Sequence, residues 1–177
     1  MCTKKYSLLQ IAMLTLMRIS IGRHFLYEGM YKYFSGDWTS KGYLLNSTGP
    51  LSSLFKECTK SAATLMIIDN LNIWGLILIG ICLFVGLFEK PAKFFGIILL
   101  SLYYLSYPPF ASLSQTFYGE GNYWIVDRNL MEILSLLVLM VFPSSPYVGV
   151  DRFLMNNKIN KNNIFYKICF HKNYNKK

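Results

Sequence analysis

Two stretches of otherwise apolar sequence carry side chains that could do chemistry. The run 7–34 contains Arg18, Arg23, His24, Glu28 and Lys32, and the run 125–142 opens with Asp127, Arg128, Asn129 and Glu132. An imidazole titrates near neutrality, burial can bring a carboxyl toward neutral pH, and a guanidinium offers donors to an anion or a carbonyl. On a helix, taking Arg18 as zero, His24, Glu28 and Lys32 fall at about 240°, 280° and 320°, so with Arg18 they share one arc of about 120°. Arg23, at about 140°, points elsewhere. His24 to Glu28, Glu28 to Lys32 and Arg128 to Glu132 are all i,i+4, the spacing at which helical side chains meet. Glu28, Glu132 and His24 are therefore the candidate proton-handling groups, with Arg18, Arg128, Tyr104 and Tyr107 as candidate binding residues. A ligand with carbonyl acceptors needs donors and a proton source, and this set offers them. A small anion approaching from outside would be drawn by Arg128 or Arg18. The competing reading is a set of satisfied interhelical ion pairs under an ordinary aromatic belt, which suits Lys32, Arg23 and Asp127 best.

The elements that must hold these residues are long apolar runs. The chain has 177 residues, 53% hydrophobic and 15% charged, against roughly 25% charged in a soluble domain. Spans are expected at about 7–34, 70–88, 92–110 and 125–142, the third stopped by Pro108-Pro109 and the fourth closed by Pro143 and Pro146. The fold class is all-α, an integral membrane four-helix bundle with left-handed packing and a partly helical outer loop between the first two spans, at about 38–60. Gly22 and Gly29 lie beside Arg18 on the helix surface, where a neighbouring helix can approach closely. The domain is 1–152, followed by a basic, Asn/Lys-rich tail 153–177 that cannot bury a core of its own.

Charge sets the orientation and excludes other classes. Of the formal net charge of +9, the segment 151–177 supplies +6, which reads as a positive-inside tail on anionic lipid and not as a nucleic-acid site. Lys4, Lys5, Lys90, Lys93 and the tail fall on one face, so both termini are expected in the cytoplasm, with 35–69 and 111–124 outside. His24, Glu28, Arg128 and Glu132 then lie at one depth in the outer half, joined by Tyr103, Tyr104 and Tyr107. Cys2, Cys58, Cys82 and Cys169 form no CxxC pair, no metal spacing is present, and no haem or flavin signature appears.

These residues resemble the DoxX-like family of small four-helix membrane proteins over about 10–152. The resemblance rests on IGRHFLYEGMYKY in the first helix, DWTSKGYLLNSTGP after it, and GLFEKPAKFFG between the second and third helices. It rests further on DRNLMEILSLLVLMVFP in the last helix and GVDRFL beyond. It implies a bacterial inner-membrane protein, related to the membrane subunit of a thiosulfate:quinone oxidoreductase or to complexes handling thiol or oxidative stress. The implied cofactor is a quinone and the implied partner a redox subunit. The alternative is a non-catalytic membrane anchor or scaffold for a soluble redox partner.

Overall fold

The computed structural model describes residues 6–108 and 125–152. The expectations for Lys4, Lys5, Cys2 and Cys169, for the loop 111–124 and for the tail 153–177 fall outside the described residues, as does Pro109.

The first helix starts where the sequence places a cap. The Ser7 hydroxyl accepts the Gln10 amide at 3.2 Å, and the Gln10 side chain accepts the Ser7 amide at 2.9 Å, a reciprocal capping box that opens α1 (Leu8–Phe34). Two short helices follow, α2 (Lys41–Leu45) and α3 (Ser52–Cys58), so the expected helical content of the 38–60 segment is present. Helix α4 (Ala62–Val85) begins eight residues before the expected 70. Its first two turns contain Asp69, whose carboxylate accepts from the Ser40 amide at 2.9 Å, the Ser40 hydroxyl, and the Thr39 hydroxyl at 2.9 Å. Those bonds fasten the 39–40 turn to α4 and satisfy a polar residue that reads in sequence as loop.

Helix α4 ends on Gly86 at φ 73°, the left-handed conformation that a glycine adopts without strain. Phe88, at φ 48°, is held in the same region although it has a Cβ. Helix α5 (Glu89–Ser106) then runs back, stopping before Pro108. Its last carbonyl is capped from outside the helix, since Ser106 accepts the Thr48 and Gly49 amides at 3.1 and 3.0 Å. A Cβ on Gly49 would lie 1.7 Å from the Leu105 carbonyl oxygen, so only glycine lets the turn reach that end. Helix α6 (Arg128–Val141) is capped by Asp127, whose carboxylate accepts the Leu130 amide at 2.8 Å.

The four long helices contact one another in the cyclic order α1, α4, α5, α6, with α6 returning to α1. They share one core, which includes Phe25, Leu76, Leu83, Leu100, Leu136 and Leu139. Among the described residues, Ala62–Val85 is the one helix long and apolar enough to cross a membrane on its own composition. The remaining long helices are interrupted by charge (α1, α5) or shorter (α6).

The tightest joint is between α1 and α4. A Cβ on Gly22 would sit 2.6 Å from the Phe84 nitrogen, one on Gly29 2.9 Å from the Ile77 nitrogen, and one on Gly80 2.5 Å from the Leu26 nitrogen. Numbers rise along α1 as they fall along α4, so the pair is antiparallel with backbones in direct contact, as the Gly22 and Gly29 spacing implied. We expect Gly80→Ala to destabilise by about 1–3 kcal/mol, because the Leu26 backbone must move to admit a methyl group. Gly75→Ala, where nothing lies within 4 Å, should be neutral or stabilising by up to about 1 kcal/mol. Thermal unfolding of the two purified variants gives the comparison, and equal effects would remove the close-approach account.

Candidate functional site

The candidate residues separate into two groups at opposite ends of the helices. At the end nearer the α2–α3 segment, His24 of α1 meets Glu132 of α6, with Nδ1 2.8 Å from Oε1. This is an ion-pair approach, although Nδ1 has no acceptor aligned for a hydrogen bond, and the second carboxylate oxygen, Oε2, is buried without a partner. Glu28 stands one turn further along α1, its Oε1 3.9 Å from His24 Nε2. Arg128 lies one turn before Glu132, close enough for its charge to act on both His24 and Lys32. The three titrating side chains are partly exposed, at 32% for His24, 35% for Glu28 and 16% for Glu132. His24, Glu28, Glu132 and Arg128 are therefore assembled as the sequence suggested, with the close contact running between helices and the i,i+4 contact the looser one.

Lys32 is on the same arc but is engaged elsewhere. Its ammonium donates to Asn72 Oδ1 at 2.9 Å, lies 4.7 Å from the centre of the Trp38 ring and 5.4 Å from that of Tyr103. The Asn72 amide in turn donates to the Tyr103 hydroxyl at 2.6 Å. Asn72, Tyr103 and Trp38 thus form a polar and aromatic cage for the lysine. The signal that could have found it is Asn72 inside an apolar run, since an amide that is partly buried requires partners.

Tyr104 and Tyr107, two further candidate binding residues, have their hydroxyls engaged with main-chain carbonyls. The Tyr104 hydroxyl donates to the Ile125 carbonyl at 3.0 Å and the Tyr107 hydroxyl to the Tyr43 carbonyl at 2.8 Å. The Tyr107 ring packs on Tyr43 with centroids 4.7 Å apart. Both hydroxyls are spent on main-chain acceptors, which ties α5 to the α2 cap and to the strand of chain entering α6.

Arg18 is not brought to the His24 cluster. It belongs to the opposite end, where its Nη2 donates to the Val148 carbonyl at 2.8 Å and its guanidinium packs on Gly86. The helical wheel gave its direction correctly, but a wheel carries no partner, and this one is 130 residues away in sequence. Around it the structure buries three more charges: Arg18, Glu89 and Asp151 are each 2% exposed and Lys93 is 1% exposed. Lys93 lies 3.0 Å from Glu89 and donates to the Leu139 carbonyl at 2.7 Å. Glu89 accepts the Ser145 amide at 2.8 Å, and Asp151 accepts the Phe88 amide at 2.8 Å, the Glu89 amide at 3.2 Å and the Ser145 hydroxyl at 2.8 Å. Burial pushes the Asp151 carboxyl above its ordinary pKa, and the hydrogen bonds from Ser145, Glu89 and Phe88 pull it back.

Lys93 therefore cannot serve as one of the surface charges that set orientation, the role its position in EKPAK suggested. Its partners are a carboxylate and the end of α6. Asp151 places a negative charge at the N-terminus of α5 while Lys93 places a positive one at the C-terminus of α6, each complementing a helix dipole. We expect Lys93→Met to lose about 3–5 kcal/mol of stability, since it strands the Glu89 charge in the interior. The double variant Glu89→Gln, Lys93→Met should recover most of that loss. Denaturation midpoints of the three proteins test this, and a double variant no better than the single one would show that the two do not act as a pair.

Compared with family models, curated proteins and solved structures, the chain matches none.

Proposed function

We propose that the chain is an integral membrane protein of the DoxX-like kind, crossing the bilayer four times, and that its His24–Glu28–Glu132 site binds a quinone headgroup. The membrane reading is supported by a distribution of side chains opposite to that of a soluble bundle. Four charged residues occupy the interior, while Leu8 is 88% exposed, Leu71 69%, Phe95 58% and Val141 66%, one from each long helix. In water such surfaces would be costly, whereas hydrocarbon accepts them and requires ionised groups to turn inward. Packing in a bundle also lets α1 and α5 cross despite Arg18, Lys32, Glu89 and Lys93, because those four face partners inside the bundle.

The observation that carries the functional reading is the half-buried imidazole–carboxylate pair, with an unpartnered acceptor oxygen, at the border between two helices. Reduction of a quinone to a quinol takes two electrons and two protons. The His24 imidazole, paired with the Glu132 carboxylate, is the proton donor in this reading, Arg128 supplies positive charge as the ring gains electrons, and Glu28 stands behind as a second carboxyl. The electrons come from a partner redox protein, and a small sulfur compound is the reductant this reading favours. The purified wild type should bind a short-chain ubiquinone analogue, and Glu132→Gln and Arg128→Ala should each weaken that binding by about tenfold, the factor for one charge-assisted hydrogen bond. Equal binding by all three proteins would leave a structural ion-pair cluster and favour the anchoring role, in which α3, with no buried residue, faces a partner.

The orientation has its own test. In a background with all four cysteines replaced by serine, Lys60→Cys should react with a membrane-impermeant maleimide in intact cells. Lys90→Cys should react only after permeabilisation. The reverse pattern would invert the bundle and put the His24 site at the cytoplasmic side.

A further inference from the structure

At the end of the molecule that holds the buried charges, a cavity of about 520 Å³ opens to the surface between the first turns of α1 and the chain beyond α6. Its lining is mostly apolar, with Leu8, Ile11, Ala12, Pro146 and Val148 beside Tyr147 and one cation, Arg152. Arg152 is exposed, and its guanidinium makes one long donation, 3.5 Å, to the Tyr147 carbonyl. Lys90 is exposed at the same end. The carboxylates there among the described residues, Glu89 and Asp151, are already buried against Lys93, backbone amides and Ser145. The surface around the cavity mouth is therefore positive. Along α1 the apolar wall continues into Leu9, Met13 and Leu16, at 66%, 58% and 60% exposure.

We infer that this groove is a binding site for one anionic phospholipid, with an acyl chain lying against Leu8, Ile11, Ala12 and Val148 and the headgroup phosphate on Arg152. A groove that is apolar along its length and cationic at one end matches a molecule with that same division. A guanidinium receives a phosphate through two parallel hydrogen bonds, which Arg152 is free to offer because its contact with Tyr147 is marginal in length. Charge selects the occupant: a zwitterionic lipid fills the groove equally well but gains less from an uncompensated arginine. The site is closed at its inner side by Val148, whose carbonyl is the acceptor of the buried Arg18, so an occupied groove packs directly on the segment that completes the charged interior.

This inference rests on the membrane reading, and retention of each variant in carbonate-washed membranes reports that reading separately. Native mass spectrometry of the detergent-purified full chain, titrated with phosphatidylglycerol or phosphatidylcholine, measures the site. The wild type should retain phosphatidylglycerol about fivefold better, the factor for ~1 kcal/mol from one arginine at a lipid surface. Arg152→Gln should abolish the preference while leaving some binding of both lipids, and Ala12→Trp, which fills the groove from an exposed position, should remove both. A tail variant, Lys158→Gln with Lys161→Gln and Lys167→Gln, should keep the preference. The inference is overturned if the wild type does not discriminate, if Ala12→Trp binds as the wild type does, or if the preference is lost with the tail lysines and kept without Arg152.

Discussion

Four charges sealed from solvent, Arg18, Glu89, Lys93 and Asp151, lie where every long helix of this protein passes or terminates. Two are positive and two negative, and among them they hold the turn after α4, the first residues of α5, the last carbonyls of α6 and the chain that follows it. Removing ionised groups from water costs several kcal/mol each, which the pairing of Lys93 with Glu89, the amides on Asp151 and the Val148 carbonyl on Arg18 Nη2 offset, while Arg18 Nε and Nη1 stay without a hydrogen-bond partner among the described residues. That need for partners explains why residues far beyond α6 remain part of the folded unit. The 144–151 segment supplies two amides, a hydroxyl, a carbonyl and a carboxylate to the network, and no apolar segment could replace them. It also explains Phe88, whose left-handed backbone is tolerated where the Asp151 carboxylate holds its amide.

With that end fixed, the other end is open to carry the more exposed groups. The backbone contact of α1 with α4 through Gly22, Gly29 and Gly80 sets where α1 lies, and the α5–α6 pair closes the ring against it. His24 and Glu132 then meet across a shallow α1–α6 joint, with neither fully buried. The α2–α3 segment is pinned above them by three attachments of different kinds. Asp69 receives Ser40, the α5 terminus receives Thr48 and Gly49, and Tyr107 reaches Tyr43. A rigid charged base and a pinned but more exposed cap leave the His24 region as the place where a polar group from outside can compete for partners.

Much of this was legible in the sequence, and the parts that were not share a cause. The four long helices were legible as apolar runs, while their caps at Ser7, Gly86 and Asp127, local as they are, set ends that differ from those runs by up to a few residues. The clustering of His24, Glu28 and Glu132 was readable from spacing and depth together. The longer extent of α4 was hidden because Asp69 looks like a loop residue until its partners Thr39 and Ser40 on another segment are seen. For the same reason EKPAK reads as a basic turn, although its glutamate and second lysine are among the most deeply buried residues of the protein. The i,i+4 spacing of that pair was in plain view, as was the acidic residue of GVDRFL. What the sequence lacks is any mark that residues 89 and 151 come together, since the contact spans 62 residues and depends on two helix turns closing first.

Chain order adds a consequence for how the protein is made. Arg18 and its acceptor Val148 lie 130 residues apart, so α4, α5 and α6 are all synthesised between the two. Throughout synthesis of the intervening helices the guanidinium has no native acceptor, and the partners it ends beside, Glu89 and Asp151, also arrive late. A nascent chain halted before residue 148 therefore carries an orphan cation in its first helix. That cation finds its main-chain acceptor only when the 144–151 segment docks.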